Sequence, residues 1–525
     1  MSVKSAVKSG LTGLKRTYLD NESVSIKEQL GYAGGIFGNA MGQDSIGTFA
    51  GNFGRDYAGL TNGMSAIKDN ISTILSFIVP PVAGALYDMP IKNRKRSNLR
   101  TALFVTPVPF AITSMLLFIV PTHSAMYNFI WTLFLSIFFS IADTFYDIAL
   151  ASLGLKMVSD PSDRKKFFTF ESIAATLGSL LPGGVIPVVV GLQKTPAREQ
   201  WSYFFVALGF CVIGVAAMYA PYMTIEERVS FFTPSEDKNE EKVNWNKDTV
   251  LALLHNRPFM VLMISNIFET IRKVTYDTLI YLYKNTFDDL PMKTIVESIS
   301  GALSYVGLMA VPFVGKKISA KAMLSGGYYY TAFFYTIISS FNIKFNLDRV
   351  RKLRYIPGIC IAFAGMPNAA QGAARRIIVG DSTDYMEWYS EKKYGVPVRS
   401  DGLLCAAQNI VAKITSLIKV NLTNGLLAVI GYRSKNMETG EEAIQTPRTL
   451  RGIYAMVSLC GLIGSLLPAI CFLFDNYSGK NKEKIYAELL EMRALRDEKL
   501  EQLEDGPESE SYEDSESNES GEGDE

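Results

Sequence analysis

The chain of 525 residues has two histidines, His123 and His255, and five cysteines. The histidines fall in or beside expected loops, too far apart to share a metal ion. Cys211, Cys360, Cys405, Cys460 and Cys471 lie in apolar stretches without CxxC or other ligand spacing, and read as reduced packing residues. Metalloproteases and other His-dependent intramembrane enzymes are thereby disfavoured. Net charge is lacking too: 52 basic residues balance 52 acidic ones, so no global field argues for nucleic acid as a partner. No nucleophile paired with a base, no metal cluster and no phosphate loop is found, so the chain reads as a non-enzyme without a cofactor. Residues 1–21 carry Lys4, Lys8, Lys15 and Arg16 but no apolar run long enough for a signal-peptide core, which predicts a cytosolic N-terminus.

What the chain has in abundance is apolar surface, with 48% hydrophobic and 12% aromatic residues. Twelve membrane-crossing helices of about 20 residues need roughly 240 apolar-rich positions, which this composition supplies. Apolar spans fall near 31–55, 65–87, 101–121, 126–155, 167–192 and 201–222, then near 258–284, 294–315, 321–342, 355–380, 402–431 and 451–475. The expected fold class is an all-α membrane protein with twelve transmembrane helices in two pseudo-symmetric six-helix bundles. The expected units are a cytoplasmic N-terminal segment (1–30), a first bundle (31–222), a polar cytoplasmic linker (223–257), a second bundle (258–475) and a cytoplasmic acidic tail (476–525).

Basic residues cluster after span two (Lys92, Arg94, Lys95, Arg96, Arg100) and span four (Lys156, Arg164, Lys165, Lys166), and are missing after span three. These loops are therefore expected in the cytosol, with both termini, in the plasma membrane. Arg349, Arg351, Lys352 and Arg354 conflict with that topology, which places their loop outside. Beyond span twelve, 480–503 can form a short charged helix, and 505–525 is acidic, Ser-rich and expected to be disordered.

An ionisable residue at mid-bilayer costs about 2.5 to 3.5 kcal/mol on insertion scales, so those present must face a protein interior or a watery cavity. Span one holds Gln43 and Asp44 in a Gly-rich stretch that suits close helix packing. Span four holds Asp143 and Asp147, whose four-residue offset puts both carboxylates on one face, where they can share a cation or proton. Span seven sets Glu269, Lys273 and Asp277 at four-residue steps, with Arg272 alongside. That stripe reads equally as a neutralised structural ladder or as part of a gate between the halves. Span eleven holds Gln408, Asn409 and Lys413; the lysine needs an anionic partner, for which the span-four carboxylates are the candidates.

Together these features resemble the glycoside-pentoside-hexuronide cation symporters, the melibiose-carrier-like branch of the major facilitator superfamily. The resemblance rests on Phe37-Gly38, the run from Asp56 to Leu60, the basic loop after span two, and Tyr146-Asp147-Ile148. Its most specific part is a loop expected before span eleven, with Asp381, Asp384, Tyr385, Glu387, Gly395, Arg399, Asp401 and Gly402, followed by Lys413 and Gly431-Tyr432. It implies two bundles around a midplane site and transport by alternating access. It further implies that Asp147 binds sugar hydroxyls, that an aromatic such as Tyr146 faces the sugar ring, and that Lys413 lies near the coupling ion. The expected substrate-binding set is Asp147, Tyr146, Asp44, Gln43 and Asn409, and the coupling-ion set Asp143, Asp147 and Lys413. The expected gating set is Glu269, Lys273, Asp277, Asp384 and Arg399.

The chain departs from the pattern where span two should carry two acidic residues: Ser76 and Pro80 stand there. Ala40 and Ala151 replace an acid and an aromatic of the family. The expected function is therefore uptake of a sugar or glycoside with H⁺ favoured over Na⁺, coupled through Asp44, Asp143 and Asp147, in a functional monomer within the lipid bilayer. A lipid or lysolipid carrier and a non-transporting membrane sensor are the alternatives.

Overall fold

A computed structural model describes residues 24–60, 62–88, 98–121, 124–158, 161–191, 196–225, 248–315, 317–343, 345–395, 397–432 and 445–504. The N-terminal half contains α1 (Ile26–Asp56), α2 (Asn62–Ser76), α3 (Val79–Asp88), α4 (Asn98–Val105), α5 (Pro107–Leu116), α6 (Ala125–Met157), α7 (Pro161–Gly191), α8 (Pro196–Met218) and α9 (Ala220–Thr224). After a short α10 (Asp248–His255), the C-terminal half contains α11 (Arg257–Tyr281), α12 (Leu290–Val314), α13 (Ala320–Ser340), α14 (Leu347–Lys352), α15 (Tyr355–Ala364), α16 (Asn368–Tyr394), α17 (Asp401–Val429) and α18 (Pro447–Cys471). A last helix, α19 (Gly479–Glu504), follows.

Proline explains why several spans are split. Pro80 follows the α2–α3 break, Pro107 opens α5, and Pro367 stands at the turn between α15 and α16, where a missing N–H ends one helical ladder and starts another. Joined across these breaks, the described helices make six spans in each half. The first begins earlier than expected, because Ser25 caps α1 in a reciprocal box with Glu28. α1 packs on α7 and α8, and α11 and α13 pack on α18. The α1–α8 approach needs Gly38, since a Cβ there would come within 2.4 Å of the Gly214 carbonyl.

Among the described residues, seven spans are long and apolar enough to cross a membrane by composition. Those that fall short include the helices holding Glu171 (α7), Glu269 and Arg272 (α11), and Arg375 and Arg376 (α16). Apolar side chains such as Phe134, Phe138, Ile74 and Val212 cover the outside, as a lipid-facing surface requires. The halves meet where α3 packs on α17, α7 on α16 and α12, and α6 on α17. The 480–503 helix is borne out as α19. The acidic segment after residue 504, the linker from 226 to 247, and Lys92, Arg94, Lys95 and Arg96 lie outside the described residues.

Candidate functional site

At the interface of the halves, α6 presents Asp143 and Asp147 one turn apart. Gln43 of α1 donates to Asp143 Oδ1 at 2.7 Å. Asn409 of α17 donates to Asp147 Oδ2 at 3.2 Å, which joins the two halves. Lys413, one turn beyond Asn409, lies within electrostatic reach of both carboxylates without closing an ion pair among the described residues. The span-four carboxylates expected as its partners are therefore its electrostatic neighbours and not a closed ion pair. All five side chains are partly exposed, so they line space rather than seal it.

Two members of the site had not been singled out from the sequence. Arg376 of α16 reaches Glu171 of α7 at 3.3 Å, again across the halves, and both interact electrostatically with Asp147. The available signal was an Arg-Arg pair inside an Ala-rich span. One expected member does not join the group. Tyr146 is fully buried, and its hydroxyl donates to the Met218 carbonyl at 2.8 Å, so it packs within the N-terminal half instead of facing a ligand. The Asp44 side chain lies outside the described residues.

The span-seven stripe forms a separate cluster. Glu269 accepts hydrogen bonds from Arg272, from Arg375 and, at 3.2 Å, from Tyr328. Asp277 pairs with Lys419 at 3.1 Å. Lys273 stands within electrostatic reach of Glu269, Arg272 and Arg375. All these partners belong to the C-terminal half, so Glu269, Lys273 and Asp277 do not bridge the halves, and the gate reading is corrected. Exchange of partners inside one bundle cannot report the motion of that bundle against the other.

The segment expected as a loop before span eleven is also corrected: Asp381, Asp384 and Glu387 lie on the last turns of α16, which ends at Gly395 with φ +72°. Those acids hold a closed face. Arg164 of α7, 1% exposed in its side chain, donates to Asp384 at 2.6 Å and to the Gly380 carbonyl at 3.0 Å. Arg399 bonds the Leu155 carbonyl at 3.4 Å and pairs with Asp401 at 3.3 Å. Lys165 reaches the Gly315 carbonyl. From Asp384 and Arg399 the network runs into α19, where Arg493 and Arg496 bond Glu387 and Lys482 bonds Asp381. These contacts, with Asp147–Asn409 and Glu171–Arg376, join the halves between Asp147 and this face, so the halves are locked there.

Glu387 lies beyond the apolar stretch. Burial pushes its carboxyl up, but the hydrogen bonds and charge of Arg493, with Arg399 and Arg496, outweigh that and hold it below the usual range.

The sequence profile of MFS/sugar transport proteins matches residues 33–477. The chain belongs to that family. This transporter is 24% identical over 458 residues to the uncharacterized symporter YjmB of Bacillus subtilis, covering 85% of the chain and 92% of the relative. It is 23% identical to the isoprimeverose transporter of Lactiplantibacillus pentosus, over 74% of the chain and 75% of the relative. Among solved structures, the proton:xylose symporter XylE bound to 6-bromo-6-deoxy-D-glucose superposes with a TM-score of 0.59 at 11% identity, covering 88% of the chain and 98% of that structure. This last likeness speaks for the fold. The transporter is thus a multi-pass membrane protein of sugar/cation symporter type, not an enzyme.

Proposed function

We propose that this transporter carries a sugar or glycoside by alternating access, coupled to protons in preference to sodium. The observation that carries this reading is the pair Asp143 and Asp147, half-buried between the two halves and met by Gln43 from one and Asn409 from the other. A carboxylate can accept from two adjacent hydroxyls at once, which is what a sugar offers. The relatives are consistent: one is named as an isoprimeverose transporter, and a further relative as a putative glycoside/cation symporter.

Proton coupling draws support from the charge balance. Asp143, Asp147 and Glu171 face Arg376 and Lys413, so one negative charge is left for a proton or cation. A proton suits it better than sodium because the span-two position offers no carboxylate: Ser76 stands there, its hydroxyl donating to the Thr73 carbonyl at 2.6 Å within its own helix. One proton moved at 100 mV supplies about 2.3 kcal/mol, or roughly 50-fold accumulation. With the closed face holding the α19 docking site, the halves part on the opposite side. We place both termini in the cytosol, the protein in the plasma membrane and the working unit at one chain, so that the described state faces outward.

The test is uptake of a labelled glycoside panel by proteoliposomes of the whole chain, with Na⁺ and H⁺ gradients imposed separately. Uptake driven by the H⁺ gradient alone is expected; uptake that needs Na⁺ and ignores a proton ionophore would refute the coupling, and no glycoside uptake under either gradient would refute the function.

A further inference from the structure

The acids that form ion pairs across the halves differ in how fully they are held. Asp384 meets Arg164 at 2.6 Å, Arg493 at 3.3 Å and Arg399 at 3.8 Å, so its charge is answered three times over. Glu171 of α7 meets Arg376 of α16 at 3.3 Å through Oε1 and closes no other ion pair among the described residues. Its Oε2 is buried without a partner in a residue only 4% exposed. A carboxylate oxygen kept from water with no donor on it is costly while charged, and is the kind of atom that takes a proton.

The surroundings suit the protonated form. Tyr32 of α1, 1% exposed, has a hydroxyl that is likewise unpartnered and acts on the charge of Glu171. Its ring is set against Phe167 at 4.8 Å between centroids, and its hydroxyl fits over Gly154, where a Cβ would come within 2.3 Å of it. A hydroxyl accepts as well as donates, so Tyr32 Oη offers an acceptor to a proton on Oε2. The groups facing Glu171 are Tyr32 from α1, Asp147 from α6 and Arg376 from α16, with Cys405 of α17 acting on both Tyr32 and Arg376. Among the described residues, no charged group of α8 or α12, which also pack on α7, acts on it. Arg376 interacts with Asp147 as well, so a second acid can answer it when Glu171 is neutral.

We propose that Glu171 is a proton site of the transport cycle, with Tyr32 as its positioning residue. The inference rests on the proton-coupled reading and adds a station to it. A proton arrives from the central space by way of the partly exposed Asp147 and forms an O–H bond on Oε2. The ionic attraction between Glu171 and Arg376 is then lost, Arg376 keeps its charge and turns to Asp147, and the parting of the halves at the closed face becomes easier. The proton leaves to water on that side, and the carboxylate can pair with Arg376 again. Charged Glu171 thus holds the halves together and protonated Glu171 releases them, so acidification favours the parted state.

The experiment measures the distance between spin labels on Met223→Cys and Ile318→Cys, exposed positions in opposite halves, in the whole chain with its five cysteines replaced by alanine, in lipid nanodiscs without sugar. The ratio of parted to closed molecules should rise on acidification by up to about tenfold per pH unit, the limit for one coupled proton. Glu171→Gln should remove that slope, and Glu171→Asp should keep one. Tyr32→Phe, a mild change that keeps the test open if Glu171→Gln fails to fold, should lower the midpoint by about one pH unit, a tenfold loss of proton affinity. A second arm reads uptake: the accumulation driven by an H⁺ gradient should fall in Glu171→Gln from roughly 50-fold at 100 mV toward unity. A ratio that ignores pH, a slope that persists in Glu171→Gln or full accumulation in that variant overturns the proposal while leaving proton-driven sugar uptake standing, and an unmoved midpoint in Tyr32→Phe overturns the part given to Tyr32. Absence of H⁺-driven uptake in the unchanged chain refutes the reading on which the proposal rests.

Discussion

The two halves share a six-helix plan but not a charge. Facing the interface, the N-terminal half offers carboxylates, Asp143, Asp147 and Glu171, whereas the C-terminal half offers Arg376 and Lys413 and gathers Arg272, Lys273 and Arg375 within itself on one buried acid, Glu269. Opposite signs attract across a low-dielectric gap, so the halves are drawn together wherever a carboxylate meets a cation. Glu171–Arg376 is such a meeting in mid-span, and Arg164–Asp384 is another at the closed face with the signs exchanged. Relative motion must break these pairs, and a substrate or proton that neutralises one member changes what that costs. On the function proposed above, the asymmetry divides the work: the acids suit hydroxyls and protons, and the cations hold the acids in place.

The largest effect is expected where this division is broken at its centre. Asp147→Asn and Lys413→Ala should each lower sugar accumulation in proteoliposomes on the order of 100-fold or more, equivalent to about 2.7 kcal/mol; normal accumulation in both would show that the two charges do not make the site. Next in size is the closed face. Arg164→Ala leaves Asp384 buried without its closest cation, so a loss of about 3–5 kcal/mol is expected, read as a lower unfolding temperature in detergent. An unchanged temperature would mean that Arg399 and Arg493 carry Asp384 without help.

A smaller effect tests the mid-span contact between the halves. Glu171→Gln and Arg376→Gln should each impair uptake, with the double variant better than the sum of the two, and a coupling of roughly 1–3 kcal/mol. Additive losses would mean that the pair does not act as a unit. The smallest effect concerns α19. Trp388 donates to Glu488 of α19 at 2.9 Å, so its emission reports docking in a protein with Trp131, Trp201 and Trp245 replaced by Phe. Because Glu387 titrates low in the docked state, it contributes stability above its unfolded value, about 4.3, and that stability is lost as pH falls through the lower docked value. Trp388 emission should therefore change on acidification below about pH 4, and at higher pH in Arg493→Ala. A signal insensitive to both would show that α19 docks through other contacts.

Much of this was legible from residue order. Hydropathy placed the spans because a lipid-crossing helix must be apolar along its length, and the four-residue offsets of Asp143 with Asp147 and of Asn409 with Lys413 put each pair on one helix face. Other features were not legible. The run from Asp381 to Glu387 reads as a polar loop, yet it is helical, with Arg164, Arg493 and Arg496 arriving from distant parts of the chain and Arg399 from just beyond the helix to neutralise it. Glu269, Lys273 and Asp277 looked as able to bridge the halves as to pair within one. Tyr146 follows the family pattern but turns inward to the Met218 carbonyl.

The sequence by itself determined that the chain spans a membrane, that it divides into two halves, and that a few charges must be kept out of lipid. It did so because those outcomes depend on local composition and on helical period. Which charge meets which was decided by the tertiary structure. Coulomb energy and hydrogen bonding depend on the last few ångströms between atoms, and here the partners stand on helices far apart in sequence, from Asp147–Asn409 to Arg164–Asp384. That is why the carboxylates of α6 were readable as a site, while the surplus positive charge beside Glu269 became visible only once Arg375 was seen to share it.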